Sequence, residues 1–180
     1  MENLINVFEE PKKKTFTWDC LGNVKLGRGA LGEEMPVLVY RLMQFTLLET
    51  ASNELGITKT NELFRKAGHL AGLEFAKNVL KLDLDFDGFI SHLQETLKEM
   101  KVGILRMESF QPETGEIILT VAEDLDCSGL PITNETICVY DEGLISGILD
   151  AYTGKQYSVQ EVDCWATGSR ICRFKGILRN

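Results

Sequence analysis

The chain has 180 residues, 44% hydrophobic and 26% charged, with 27 acidic against 19 basic side chains and a net charge of −8. That balance excludes a general nucleic-acid binder, which needs a basic footprint, and argues against docking on anionic membranes. The length fits one domain, and no apolar run approaches the ~20 residues of a membrane span.

Residues 1–14 read as a flexible tail, with Lys12, Lys13 and Lys14 as a solvated basic spot, and residues 15–180 as a single domain. The first residues lack both a basic leader and a long apolar core, so the expected location is cytoplasmic. Five cysteines are an odd number. In that compartment they argue against disulfides and for metal or thiol chemistry.

Extended segments are expected at 15–18 and at 23–26. A loop follows from Arg28 to Gly32, and Pro36 opens a helix over 37–55, with Tyr40, Met43, Leu47, Leu48, Ala51 and Leu55 at helical spacing. Gly56 supplies its stop. A second helix, from Thr58 or Thr60 to Leu80, carries Leu63, Phe64, Ala67, Leu70, Ala71, Phe75 and Val79. Gly68 and Gly72 lie one turn apart on it. Each glycine costs ~1 kcal/mol relative to alanine, which implies close approach of another backbone or of a ligand. A third helix over 86–100 has Phe89, Ile90, Leu93 and Leu97 on one stripe, with Asp85 and Asp87 suited to its start.

Strand character follows at 102–110 and 116–123 around a turn at 111–115. Residues 124–136 read as a loop. A fourth helix spans 141–152 and ends at Gly154. A last hairpin pairs a strand ending near Asp163 with one over 170–175. This order predicts an α+β fold: an antiparallel sheet packed against a layer of about four helices.

The last hairpin carries the most pointed chemistry, Glu161-x-x-Cys164-x7-Cys172, with Cys138 upstream. Three thiols and a carboxylate form an acceptable tetrahedral zinc set. Spacing alone leaves buried free thiols as the ordinary reading, because free cysteine packs as a small hydrophobe. Glu161 and Cys164 also have opposite strand parity. The chain must therefore bend near Asp163, or Cys164 must lie past the strand end. Cys20 and Cys127 fall outside the pattern and read as ordinary thiols.

With these residues placed, the chain resembles the 4-vinyl-reductase-type domain, also called the hydrocarbon-binding domain. Cys138, Gly143, Gly147, Gly154, Glu161, Cys164, Gly168, Cys172 and Phe174 follow that family's pattern most closely. Arg28 to Gly32 and Ala67-Gly68-x-x-Ala71-Gly72 extend the likeness upstream, over residues 20–176. The resemblance implies a fold shared with TRAPP-complex subunits, an apolar pocket and a homodimer. In the phenol-sensing members, positions matching Cys138, Glu161, Cys164 and Cys172 bind zinc, so the same four are expected to hold a structural zinc site here.

The function implied is binding or sensing of a small hydrophobic or aromatic ligand, with output through a protein partner. Alternatives are reduction of a vinyl group on a tetrapyrrole and a ligand-independent scaffold. No nucleotide-binding glycine fingerprint and no catalytic triad pattern support the enzyme, and no catalytic residue is assigned. The expected pocket draws on Phe64, Ala71, Phe89, Leu93, Leu119 and Val121, with His69 able to orient a polar head group. The competing reading is that these residues fill a solid core.

Overall fold

Long apolar stripes become helices, and the alternating segments pair into one sheet. The computed structural model describes residues 15–179, so the tail expected at 1–14 lies outside the described residues. Two compact units divide the chain, one up to Glu33 and one from Glu34 onward.

The first unit contains a 3-10 turn at Trp18–Leu21 and a one-turn helix, α1, at Val24–Gly27. The strand expected at 23–26 is therefore corrected to helix. The reason is local: the Asn23 side chain accepts a hydrogen bond from Leu26 N at 2.8 Å, which caps a helical turn.

In the second unit, α2 (Val37–Leu55) and α3 (Ile57–Val79) join at Gly56 alone. Gly56 sits at φ +79°, a backbone shape costly to a residue with a Cβ, so the chain turns there in a single step. Helix α4 (Phe86–Glu99) starts at Asp85, whose side chain accepts from Gly88 N. Strands β1 (Ile104–Gln111) and β2 (Glu116–Ala122) form the first hairpin. Helix α5 (Val139–Thr153) precedes β3 (Tyr157–Asp163) and β4 (Cys172–Leu178), with a 3-10 turn at Trp165–Thr167 between these strands.

The sheet is antiparallel in the order β1-β2-β4-β3. Ile117, Leu119 and Val121 point inward from β2, opposite Gly176, Phe174 and Cys172 of β4. Phe89, Ile90, Leu93 and Leu97 of α4 join Ile145, Ile148 and Leu149 of α5 in the same core. Phe89 stacks on Tyr152 with ring centroids 3.8 Å apart. The other sheet face carries ion pairs such as Arg173 with Glu108 and Lys175 with Glu116.

Helices α3 and α5 meet backbone to backbone. A Cβ at Gly68 or Gly72 would overlap the carbonyl oxygens of Tyr140 and Leu144. Reciprocally, a Cβ at Gly143 or Gly147 would overlap those of Arg65 and His69. The two glycines read from the sequence thus find their partners in a second glycine pair. This close approach lets Glu142 reach both neighbours. Its carboxylate accepts from Arg65 at 2.6 and 2.8 Å and from Glu161 N at 2.9 Å, tying α3, α5 and β3 together. No helix among the described residues is long and apolar enough to cross a membrane.

Candidate metal centre

Four elements deliver four buried thiols to one point. Cys127 comes from the loop after β2, Cys138 from the N-terminal cap of α5, Cys164 from the end of the β3 segment and Cys172 from the start of β4. Their sulfur atoms all lie within 4.8 Å of one another. The Sγ–Sγ separations are 3.1 Å for Cys127–Cys172 and 3.9 Å for both Cys138–Cys164 and Cys138–Cys172. A tetrahedron with Zn–S bonds of ~2.3 Å requires edges of roughly 3.8 Å, so the donor set fits such an ion.

Local backbone geometry explains each position. The pairing of β3 with β4 shifts register between Glu161 and Asp163, and Cys164 lies just past the strand end. Both solutions to the parity conflict are used. Cys164 N donates to Thr167 Oγ1 at 3.1 Å, which fixes the turn that returns the chain to Cys172. The Asp124 carboxylate accepts from Asp126 N and Cys127 N, so it folds the loop that aims Cys127 inward. Ala166 O accepts from Thr133 N and Asn134 N at 2.9 Å each, and Leu130 O accepts from Trp165 Nε1 at 3.0 Å. The 124–138 loop is thereby laced to the metal-loop turn.

Three of the expected ligands, Cys138, Cys164 and Cys172, are thus brought together. The fourth member of the sulfur cluster is Cys127, which the sequence reading set aside as an ordinary thiol. Glu161 stands beside the cluster rather than within it. Its Oε2 accepts from Cys138 N at 3.0 Å, and its Oε1 is buried without a partner. Burial raises its carboxyl to about 8, opposed by the Cys138 N–H and reinforced by the nearby Cys164 sulfur. Contact with Cys127 foremost pushes Cys138 and Cys172 up and Cys164 down, so one thiolate is shared among the sulfurs. Asp124 and Asp141 also approach Cys138 closely. Burial, then Asp126, lifts Asp124 to about 6.

The residues expected to line a ligand pocket separate. Phe89, Leu93, Leu119 and Val121 are buried in the core cluster. Ala71 is half-buried on α3. His69 lines a polar cleft between α3, α5 and β3, where its Nε2 lies 2.9 Å from Asp150 Oδ2. Phe64 lines a different cavity, between α2, α3 and the chain entering α5.

This arrangement defines an α+β domain with a four-thiol centre at its C-terminal hairpin. Residues 117–178 match the vinyl-4-reductase domain family, so the chain carries that domain over the stretch holding all four thiols. It is 28% identical over 145 residues to an uncharacterized protein of Methanocaldococcus jannaschii, covering 81% of this chain and 79% of that one. A second protein of that organism is 34% identical over 85 residues, 47% of this chain and 44% of its own length. Among solved structures, the phenol-responsive sensory domain of the transcription activator PoxR, bound to phenol, is similar at a TM-score of 0.61 and 15% identity. That match covers 82% of this chain and 76% of that one. A vinyl-4-reductase family protein from Methanocaldococcus jannaschii matches at 0.56 and 16%, over 83% and 85%. A trafficking protein particle complex subunit 3 from Naegleria fowleri, covalently bound to palmitic acid, matches at 0.63 and 11%, over 80% and 95%. At these identities the structures establish a shared fold.

Proposed function

We propose that this chain is a small-molecule-binding domain of the sensing type, with a structural zinc ion fastening its C-terminal hairpin. The observation that carries the metal is the convergence of four buried sulfurs at tetrahedral spacing. Cys127, Cys138, Cys164 and Cys172 would hold the ion. Glu161 accepts from the Cys138 backbone and positions that ligand rather than binding metal itself. Four protein donors leave no open coordination position, which favours a structural over a catalytic ion. A bound ion would link the start of α5, the loop after β2 and the last hairpin. Its removal would loosen all of them together, because metal binding is coupled to folding.

Ligand binding is supported by the family match over residues 117–178 and by the phenol-bound sensory domain that shares the fold. A homodimer is supported by α2, which exposes Leu38, Leu42, Met43 and Leu47 to solvent. Such an unpartnered apolar face fits burial against a second subunit, and occupancy would pass to that subunit or to a protein partner. The test is elemental analysis of chelator-washed protein, together with mass spectrometry of its organic extract. The proposal expects one zinc per chain and a co-purifying or added small ligand. Metal-free protein of unchanged melting temperature would refute the metal role, and failure to take up any small apolar compound would refute the binding role.

A further inference from the structure

The cavity lined by Phe64 has a volume of about 160 Å³. A cavity of about 150 Å³ holds a benzene-sized body when its walls are apolar. Phe45 and Leu48 of α2, Phe64 of α3 and Ile137 supply such walls here. Its polar character is one-sided. Asp126 and Glu135 line it, and no lysine, arginine or histidine does so. Asp126 is only 4% exposed. Tyr40 donates to its Oδ1 at 2.7 Å, while Oδ2 is buried without a hydrogen-bond partner. Burial raises the Asp126 carboxyl, while Tyr40, Gln44 and Arg41 favour its ionised form. Gln44 Oε1, on the same wall, is a second buried acceptor without a donor. Arg41 is the nearby cation, but its guanidinium is committed to backbone carbonyls: Leu125 at 2.8 Å, Ser128 at 2.9 Å and Asp124 at 3.5 Å.

Two buried acceptors without donors inside an apolar cavity are costly until a donor arrives. A neutral hydrocarbon would leave both unpaired, and an anion would face two carboxylates. An ammonium group supplies several N–H donors and the missing charge. Phe45, Phe64 and Tyr140 add aromatic surface, which attracts cations. We infer that this cavity is a site for a small organic ammonium ion, its head on Asp126 and Gln44 and its apolar body against Phe45, Leu48 and Phe64. The inference rests on the ligand-binding reading above and specifies its chemistry.

Calorimetric titration of the full, zinc-loaded chain with benzylamine, benzyl alcohol and benzoate at neutral pH tests it. The first is a cation, the second its neutral analogue and the third an anion of similar body. Benzylammonium should bind at least about tenfold tighter than benzyl alcohol, a margin of about 1.4 kcal/mol, with benzoate weakest. Asp126→Asn should erase that margin while leaving benzyl alcohol unchanged. Because Asp126 adjoins Cys127, zinc content is measured on the same sample. Gln44→Leu, on α2 and away from the thiols, is the second variant. It should weaken benzylammonium several-fold without moving the melting temperature. Equal or tighter binding of benzyl alcohol, or a cation preference that survives in both variants, overturns the ammonium assignment and leaves the ligand-binding reading standing. If no probe binds and the purified protein carries no extractable ligand, both fall.

Discussion

Glu161 and Cys127 exchange expected roles, and the physical reason is visible in the residues around them. Glu161 has its carboxylate engaged by Cys138 N and its own N–H by Glu142, so both ends are occupied within the fold. Cys127 presents its sulfur to the other thiols, with Cys172 at 3.1 Å. Cys127→Ser should therefore abolish stoichiometric zinc, whereas Glu161→Gln should retain it and lose stability by about 1–3 kcal/mol through the disturbed buried hydrogen bond. Metal analysis beside denaturant melts separates the two, and the reverse pattern would return Glu161 to the ligand set. Cys138, Cys164 and Cys172 were legible because strand and turn chemistry bracket them. Cys127 was not, because it sits on an irregular loop whose path is set by the Asp124 turn and by contacts to Ala166 and Trp165. The available signal was Asp124-Leu-Asp126-Cys127 directly after a strand, a carboxylate two and three residues ahead of the amides it binds.

At the level of elements, helices with strong stripes and clear stop residues were readable to within a few residues, as α2, α4 and α5 show. The short N-terminal elements were not, because one side-chain cap at Asn23 decides between strand and helix over so few residues. Gly68 and Gly72 announced a close approach, but the partner was readable only once α5 lay across α3. Gly147→Ala tests this contact. The added methyl would meet the His69 carbonyl oxygen, and the helices must separate. Overpacking of this kind costs about 1–3 kcal/mol, so denaturant unfolding should shift by at least that amount. An unchanged midpoint would mean that α3 and α5 are not held at backbone distance. The core layer gives a second check. Phe89→Ala removes a ring stacked on Tyr152 and should cost about 3–5 kcal/mol, as for other large aromatic deletions. A loss under about 1 kcal/mol would indicate a loosely filled interior at α4.

For the whole molecule, composition and charge narrowed the class, and the α+β order gave the architecture. Subunit association was not readable, since an exposed stripe and a buried one look alike in sequence. Helix α2 shows why: Leu38, Leu42, Met43 and Leu47 have the periodicity of a core helix yet face solvent. If that face joins two subunits, Leu42→Asp should convert a dimer to a monomer in light scattering while zinc content holds. A monomer in the parent protein at all concentrations would dismiss the dimer. The central claim is the sulfur-only metal centre, because it fixes how the loop after β2, α5 and the last hairpin are joined. X-ray absorption at the zinc edge reads it directly. The account predicts four sulfur neighbours at ~2.3 Å; a shell of three sulfurs with one oxygen at ~2.0–2.2 Å, or no zinc in the protein, would contradict it.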